Sequence, residues 1–159
     1  MKKVAILYSE YSPTIDAIKY RLQDCVVDCV TELVNADKYD LVVLSNYKNE
    51  YDGNALACYH ALLPAFEGEN PERQAMIAGV KVTGITIYST KPKRIIAQYP
   101  VFIYNDSHID ELEQELNYLE QTIYPLVIEK VLNNEVFELR ALLKQGHTCC
   151  SGGCSSCSH

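Results

Sequence analysis

Four cysteines near the end of the chain are the residues best suited to chemistry. Cys149, Cys150, Cys154 and Cys157 fall within nine residues, and the C-x₂-C pair Cys154/Cys157 can bring two thiolates to one metal ion. Gly152-Gly153 lets the chain wrap back between Cys150 and Cys154 with little steric cost. With His147 and His159 in reserve, four thiolates satisfy tetrahedral Zn²⁺ or the ligand demand of an iron–sulfur cluster. Adjacent Cys149 and Cys150 rarely both serve one mononuclear site without strain, so one of them can be spare. Disulfide or thiol-exchange chemistry, or a tail with no role, are the alternatives that the same residues allow.

A second chemically suggestive stretch lies at the other end. Val4-Ala5-Ile6-Leu7-Tyr8 is a short apolar run that passes into the polar bend Ser9-Glu10-Tyr11-Ser12, and a helix opens at Pro13-Thr14. A buried strand that delivers hydroxyls to a helix N-terminus can hold an anion, because unpaired backbone N–H groups and the helix dipole converge there.

The elements that must position these residues follow from pattern. The 159 residues suit one domain. Lys3–Tyr8 reads as a strand, Pro13–Gln23 as a helix with Ile15, Ile18 and Leu22 on one face, and Cys25–Val30 and Asp40–Ser45 as further strands. Asp52-Gly53 marks a turn, and Asn54 caps a predicted helix to Leu63, which Pro64 ends. Glu67–Arg73 reads as surface loop and Val80–Tyr88 as a strand with Gly84 a weak spot. Ser89–Pro92 is the next loop, and the strand within Ile95–Tyr104 is expected to be interrupted at Pro100. Ser107–Asp110 has the spacing of a capping box. Leu112, Leu116, Leu119 and Ile123 stripe a long helix that Pro125 should kink, and a further helical piece spans about Glu135–Lys144 before Gly146. Strands alternating with helices predict an α/β, doubly wound, five-stranded parallel sheet over residues 1–146, followed by a Cys/Gly/Ser-rich metal-binding tail, 147–159. Ligands would then collect at the carboxyl ends of the strands.

Composition narrows the partners. A net charge of −7 argues against a nucleic-acid surface. No apolar run reaches the roughly 18 residues that a membrane span needs. The short run behind Lys2 and Lys3 is a strand and not a signal peptide, so a cytoplasmic location is expected. The chain has seven cysteines, and in that reducing compartment clustered ones are metal ligands or redox groups before they are disulfides. Cys25, Cys29 and Cys58 read as small core residues and His60 as a structural histidine on its helix.

The segment Leu7-Tyr8-Ser9-Glu10-Tyr11-Ser12-Pro13-Thr14 resembles the phosphate loop of flavodoxin-like proteins, which follows the first strand and enters the first helix. The resemblance implies that Ser9, Tyr11, Ser12 and Thr14 cradle the phosphate of FMN. It also places Asn46, Tyr47 and Tyr51 in a second flavin-contacting loop and Tyr88, Ser89 and Thr90 in a third. The implied function is electron transfer by a small redox protein, through FMN or a tail-bound iron–sulfur cluster, with a redox or metal-handling protein partner. The alternative is a carrier that captures metal, cluster or sulfur on its cysteine tail, with a flavin-free docking domain.

Overall fold

The computed structural model describes residues 1–140. The cysteine tail, the expected boundary at residue 146 and residues 141–144 of the helical piece expected at 135–144 lie outside the described residues; within them, Glu135–Glu138 are not helical.

Among the described residues nine strands and α-helices follow one another: β1 (Lys3–Leu7), α1 (Pro13–Arg21), β2 (Val26–Val30), β3 (Leu41–Leu44), β4 (Leu56–Tyr59), α2 (Pro71–Ala78), β5 (Val82–Thr90), β6 (Lys93–Phe102) and α3 (Ile109–Leu132). The strands make one six-stranded sheet in the order β2-β1-β3-β4-β5-β6. β1 pairs in parallel with β2 and β3, and β3 with β4, whereas β5 runs antiparallel to β4 and β6 antiparallel to β5. The α/β class holds, but the sheet is mixed and six-stranded, not five-stranded and parallel.

Three local readings account for that correction. The predicted helix over Asn54–Leu63 is instead β4 followed by loop, and Leu56-Ala57-Cys58-Tyr59 is a strand because it lies between β3 and β5. Tertiary pairing overrides a sequence with no β-branched residue. The expected loop at Glu67–Arg73 contains the start of α2, with Asn70 before it in a left-handed conformation and Pro71 as its first residue. Pro100 does not interrupt β6, which is the outermost strand, where a missing N–H is tolerated.

Pro125 likewise leaves α3 unbroken over 24 residues. Its cost of roughly 3 kcal/mol is offset because both halves are anchored: Leu112, Leu116, Ile123, Tyr124, Val127, Ile128 and Leu132 are all buried. α3 is capped at His108, whose N–H donates to the Glu111 carboxylate, one residue later than the spacing suggested.

Helices α1, α2 and α3 gather on one face of the sheet. Their side chains share a core with Val4, Ile6, Val43, Ile85 and Ile87, and α3 packs against α1, α2, β4 and β5. Tyr124 is fully buried where β3 and β4 share a single ladder pair, and its hydroxyl reaches the carbonyls of Leu44 and Leu56 at 2.9 and 2.8 Å. The opposite face holds a smaller cluster, Ala5, Val42 and Ala55 under Leu33, Tyr39, Leu44 and Tyr51. Over β5 that face is crossed by the β4–α2 loop: Thr86 Oγ1 donates to Ala61 O and accepts from Leu63 N. Gly84 is required where the hairpin tightens, since a Cβ there would lie 2.0 Å from the Tyr99 carbonyl oxygen.

Candidate functional site

From β1 the chain returns through α1 to one side, at β2, and then crosses to the other side, at β3. This reversal leaves a crevice beyond the carboxyl ends of the parallel strands. A cavity of about 550 Å³ opens there. Ser12, Pro13 and Thr14 line it from the start of α1, and Asn46 from the end of β3. Cys58, Tyr59 and His60 come from the end of β4, Pro71 and Glu72 from the start of α2, and Asn117, Glu120 and Gln121 from α3.

Two helix N-termini therefore meet at one cavity. Neither Ser12 nor Asn70 caps its helix with a side-chain hydrogen bond. At α2 the Glu72 carboxylate takes its own backbone N–H, so the partial positive charge of the first turn of α1 is the one left for a ligand anion.

On the α2 and α3 side, His60 is held between two carboxylates. Its Nδ1 lies 2.8 Å from Glu72 Oε1 and its Nε2 2.7 Å from Glu120 Oε2. The three side chains are only 15–17% exposed. Burial alone would push the imidazole pKa down. The hydrogen bonds and charges of Glu120 and Glu72 outweigh it and lift the value to about 9, so the ring is a cation at neutral pH. Burial would likewise raise the Glu72 carboxyl, but its bond to His60 and to its own backbone N–H holds it below the ordinary value. Burial pushes both Cys58 and Tyr59 up. The Tyr59 hydroxyl is occupied with the carbonyls of Phe66 and Gly68, at 2.9 and 2.6 Å.

Of the residues singled out in the sequence, Ser12, Thr14 and Asn46 line this cavity. Ser9 Oγ instead accepts the Lys48 N–H, and Asn46, at φ 50°, donates to the Glu10 carbonyl. These bonds, with the Lys48–Glu10 ion pair, knit the β1–α1 and β3–β4 loops together. Tyr11 is exposed, packs edge-on against Tyr8 and donates to Asp16, a bond that pushes its pKa up to about 12. Tyr47 is half-buried and does not line the cavity. Tyr51 belongs to the cluster on the opposite sheet face. Tyr88 lies within β5 with the Lys93 ammonium 6.0 Å from its ring. Ser89 donates to Pro92 O, and Thr90 Oγ1 donates to Gly53 O while accepting from Ala55 N. The third loop of the flavin reading thus does not join the first two at the cavity. The Ser89 and Thr90 hydroxyls are spent within the β5–β6 hairpin and on the loop before β4.

Sequence reasoning missed His60, Glu72 and Glu120. They are separated by 12 and 60 positions, and no motif signals such a set. Cys58, expected on a helix, is on β4, half-buried against the main core.

The sequence profile of the formyl transferase family, "Formyl transferase", matches residues 3–128. The chain belongs to that family. It is 32% identical over 117 residues to phosphoribosylglycinamide formyltransferase of Bacillus subtilis, a match covering 65% of this chain and 59% of that protein. It is 32% identical over 80 residues to the mitochondrial formyltetrahydrofolate deformylase 2 of Arabidopsis thaliana, covering 49% of this chain and 24% of that protein. The chain thus spans well under two-thirds of the length of both. Among solved structures, glycinamide ribonucleotide transformylase 1 of Symbiobacterium toebii superposes with a TM-score of 0.72 at 21% identity, covering 88% of this chain and 92% of that one. Phosphoribosylglycinamide formyltransferase of Bacillus halodurans gives 0.65 at 23% identity, covering 82% and 95%. At such identities the structures speak for the fold.

These matches overturn the flavodoxin-like assignment, electron transfer and the carrier alternative alike. The FMN, iron–sulfur and zinc expectations go with them. The relatives are named for moving or removing a formyl group, one of them from formyltetrahydrofolate. Among the described residues no group of three or more His, Cys, Asp or Glu is placed to hold a metal. The resemblance misled because a strand, a hydroxyl-rich turn and a helix N-terminus recur in many α/β sheets and specify an anion site, not a flavin. Among the described residues no helix is long and apolar enough to cross a membrane.

Proposed function

We propose that this domain acts in formyl-group transfer, and that its cavity takes a phosphorylated acceptor bearing an amine, of the phosphoribosylglycinamide class named for its Bacillus subtilis relative. The observation that carries the reading is the uncapped N-terminus of α1 facing one cavity that also carries the Glu72 and Glu120 carboxylates. A phosphate suits the first feature, with Ser12 and Thr14 as its hydroxyl partners. Hydroxyl and amine donors suit the second, with Glu72 and Glu120 as acceptors. In the transfer, the acceptor nitrogen attacks the formyl carbon of formyltetrahydrofolate, the donor that the Arabidopsis relative's name supplies. One carbon–nitrogen bond forms and the donor's breaks; the acceptor nitrogen loses a proton and the donor nitrogen gains one. This chain's residues contribute binding and orientation to that step.

A second reading, acceptor binding without transfer, is favoured by the protonation of the cavity wall. Both ring nitrogens of His60 are engaged, and Glu72 and Glu120 each spend an oxygen on it. Burial holds the Cys58 thiol and the Tyr59 hydroxyl in their protonated forms. No strong base is therefore free among the described residues that line the cavity.

One experiment separates the readings. Phosphoribosylglycinamide binding is measured by calorimetry, and formylated product by mass spectrometry after a single turnover with formyltetrahydrofolate. Binding with product supports transfer, and binding without product selects the second reading. Ser12→Asp should weaken binding at least ~10-fold in either case, by placing a carboxylate at the anion end. Absence of binding by the wild type overturns both.

A further inference from the structure

We propose that Asn46 is a positioning residue for the anion end of the cavity: it holds the β1–α1 loop in the shape that leaves the first turn of α1 open to a phosphate. This rests on the cavity being the acceptor site.

The loop is held from outside. Ser12 gives its helix no side-chain cap bond, and Tyr11 is held through its side chain, by Asp16 and Tyr8. The bonds that fix Ser9 and Glu10 come from the β3–β4 loop. Ser9 N donates to Asn46 O at 3.1 Å, Asn46 Nδ2 donates to Glu10 O at 3.3 Å, and Lys48 N donates to Ser9 Oγ at 3.0 Å. Asn46 thus engages a backbone group of each of two successive residues, one through its own carbonyl and one through its side chain. The same clasp pairs the Glu10 carboxylate with the Lys48 ammonium, so that the loop's one acid is compensated when an anion arrives.

The backbone of Asn46 is a second observation. Its φ of 50° is left-handed, a region that residues other than glycine rarely adopt and that asparagine tolerates better than most. Such a conformation persists where the surroundings over-determine it. Here the carbonyl and the side chain of that one residue both reach the facing loop.

A third observation shows what the clasp serves. Asn46 lines the cavity beside Ser12, Pro13 and Thr14, whereas Ser9 does not line it. Thr14 is only 5% exposed, and among the described residues its hydroxyl has no hydrogen-bond partner. A buried hydroxyl left so is satisfied by a ligand acceptor. A phosphate then meets this hydroxyl and the first-turn N–H groups already in place, and little of its binding energy goes into ordering the loop.

The test uses the full chain and two probes, phosphoribosylglycinamide and the same riboside without its phosphate, with affinities read by calorimetry. Asn46→Gly keeps the left-handed backbone and the bond to Ser9 N but removes the bond to Glu10 O. It should weaken the phosphorylated probe about 5- to 10-fold and leave the other unchanged. Ser9→Ala breaks the bond from Lys48 N outside the cavity and should give the same phosphate-selective loss, while Ser9→Thr, which keeps the hydroxyl, should bind as the wild type does. Because both sites act on one loop, the double variant should lose less than the product of the single losses. Loss in Asn46→Gly with none in Ser9→Ala would make Asn46 a direct ligand contact and overturn the positioning role. Equal loss for both probes, or no loss in either variant, would overturn it too and leave the acceptor reading standing. A wild type that binds neither probe, or binds both alike, would sink the acceptor reading itself.

Discussion

His60 should make the stability of this protein fall across the mildly alkaline range, and by a calculable amount. Its pKa rises from an ordinary 6.5 to about 9 on folding. A base whose folded value is raised stabilises fully below its unfolded value, and that contribution is lost as pH climbs through the folded one. At about 1.4 kcal/mol per unit, the difference corresponds to roughly 3 kcal/mol, present below pH 6.5 and gone a little above pH 9. The side chain is 17% exposed, so solvent screening does not cancel the effect. Glu72 reports the same bond from its acid side. Its lowered pKa makes the contribution present above the ordinary 4.5 and lost as pH falls through the lower folded value. The two together give a plateau between 4.5 and 6.5. The assay is urea unfolding followed by far-UV circular dichroism, with cysteines kept reduced, over pH values from about 5.5 to about 10. His60→Gln retains hydrogen bonding but cannot titrate, so subtracting its curve removes the other groups that ionise in this range. A wild-type curve that stays parallel to that of His60→Gln between pH 6.5 and pH 9 would refute the clamp.

Two further substitutions test the scaffold behind the site. Tyr124→Phe removes the hydroxyl that serves the Leu44 and Leu56 carbonyls at the β3–β4 junction. It should cost about 1–3 kcal/mol in urea unfolding, and a neutral result would show that water satisfies those carbonyls. Gly84→Ala must push a Cβ against the Tyr99 carbonyl oxygen. The expected loss is about 1–3 kcal/mol or more, read as a lower melting temperature with the far-UV spectrum retained; an unchanged temperature would mean that the β5–β6 hairpin can open at no cost.

What the sequence settles by itself is local and strong. The apolar runs at Val4–Leu7 and Leu41–Leu44 are too short and too β-rich to be anything but buried strands, and Ser12-Pro13 starts a helix by its own backbone chemistry. The first half of α3 is equally legible, because Leu112, Leu116, Leu119 and Ile123 recur at helical spacing. From these, the α/β class and a ligand crevice beyond the first strand follow. Ser12, Thr14 and Asn46 belong to that crevice because they sit directly at strand ends.

Tertiary structure decides the rest. Leu56–Tyr59 becomes a strand only because β3 and β5 provide partners, and Pro125 stays helical only because packing on both sides holds it. The hydroxyls of Ser89 and Thr90 read as ligand groups in one dimension and prove to be bonded within their own loops in three. His60, Glu72 and Glu120 meet across three elements, and their charges acquire meaning only through that meeting: burial and a 2.7–2.8 Å approach turn an ordinary histidine into a cation and two surface-type glutamates into an acidic wall. Local pattern reports what a residue can do, whereas proximity and desolvation, which fix protonation and charge, exist only after the chain has folded.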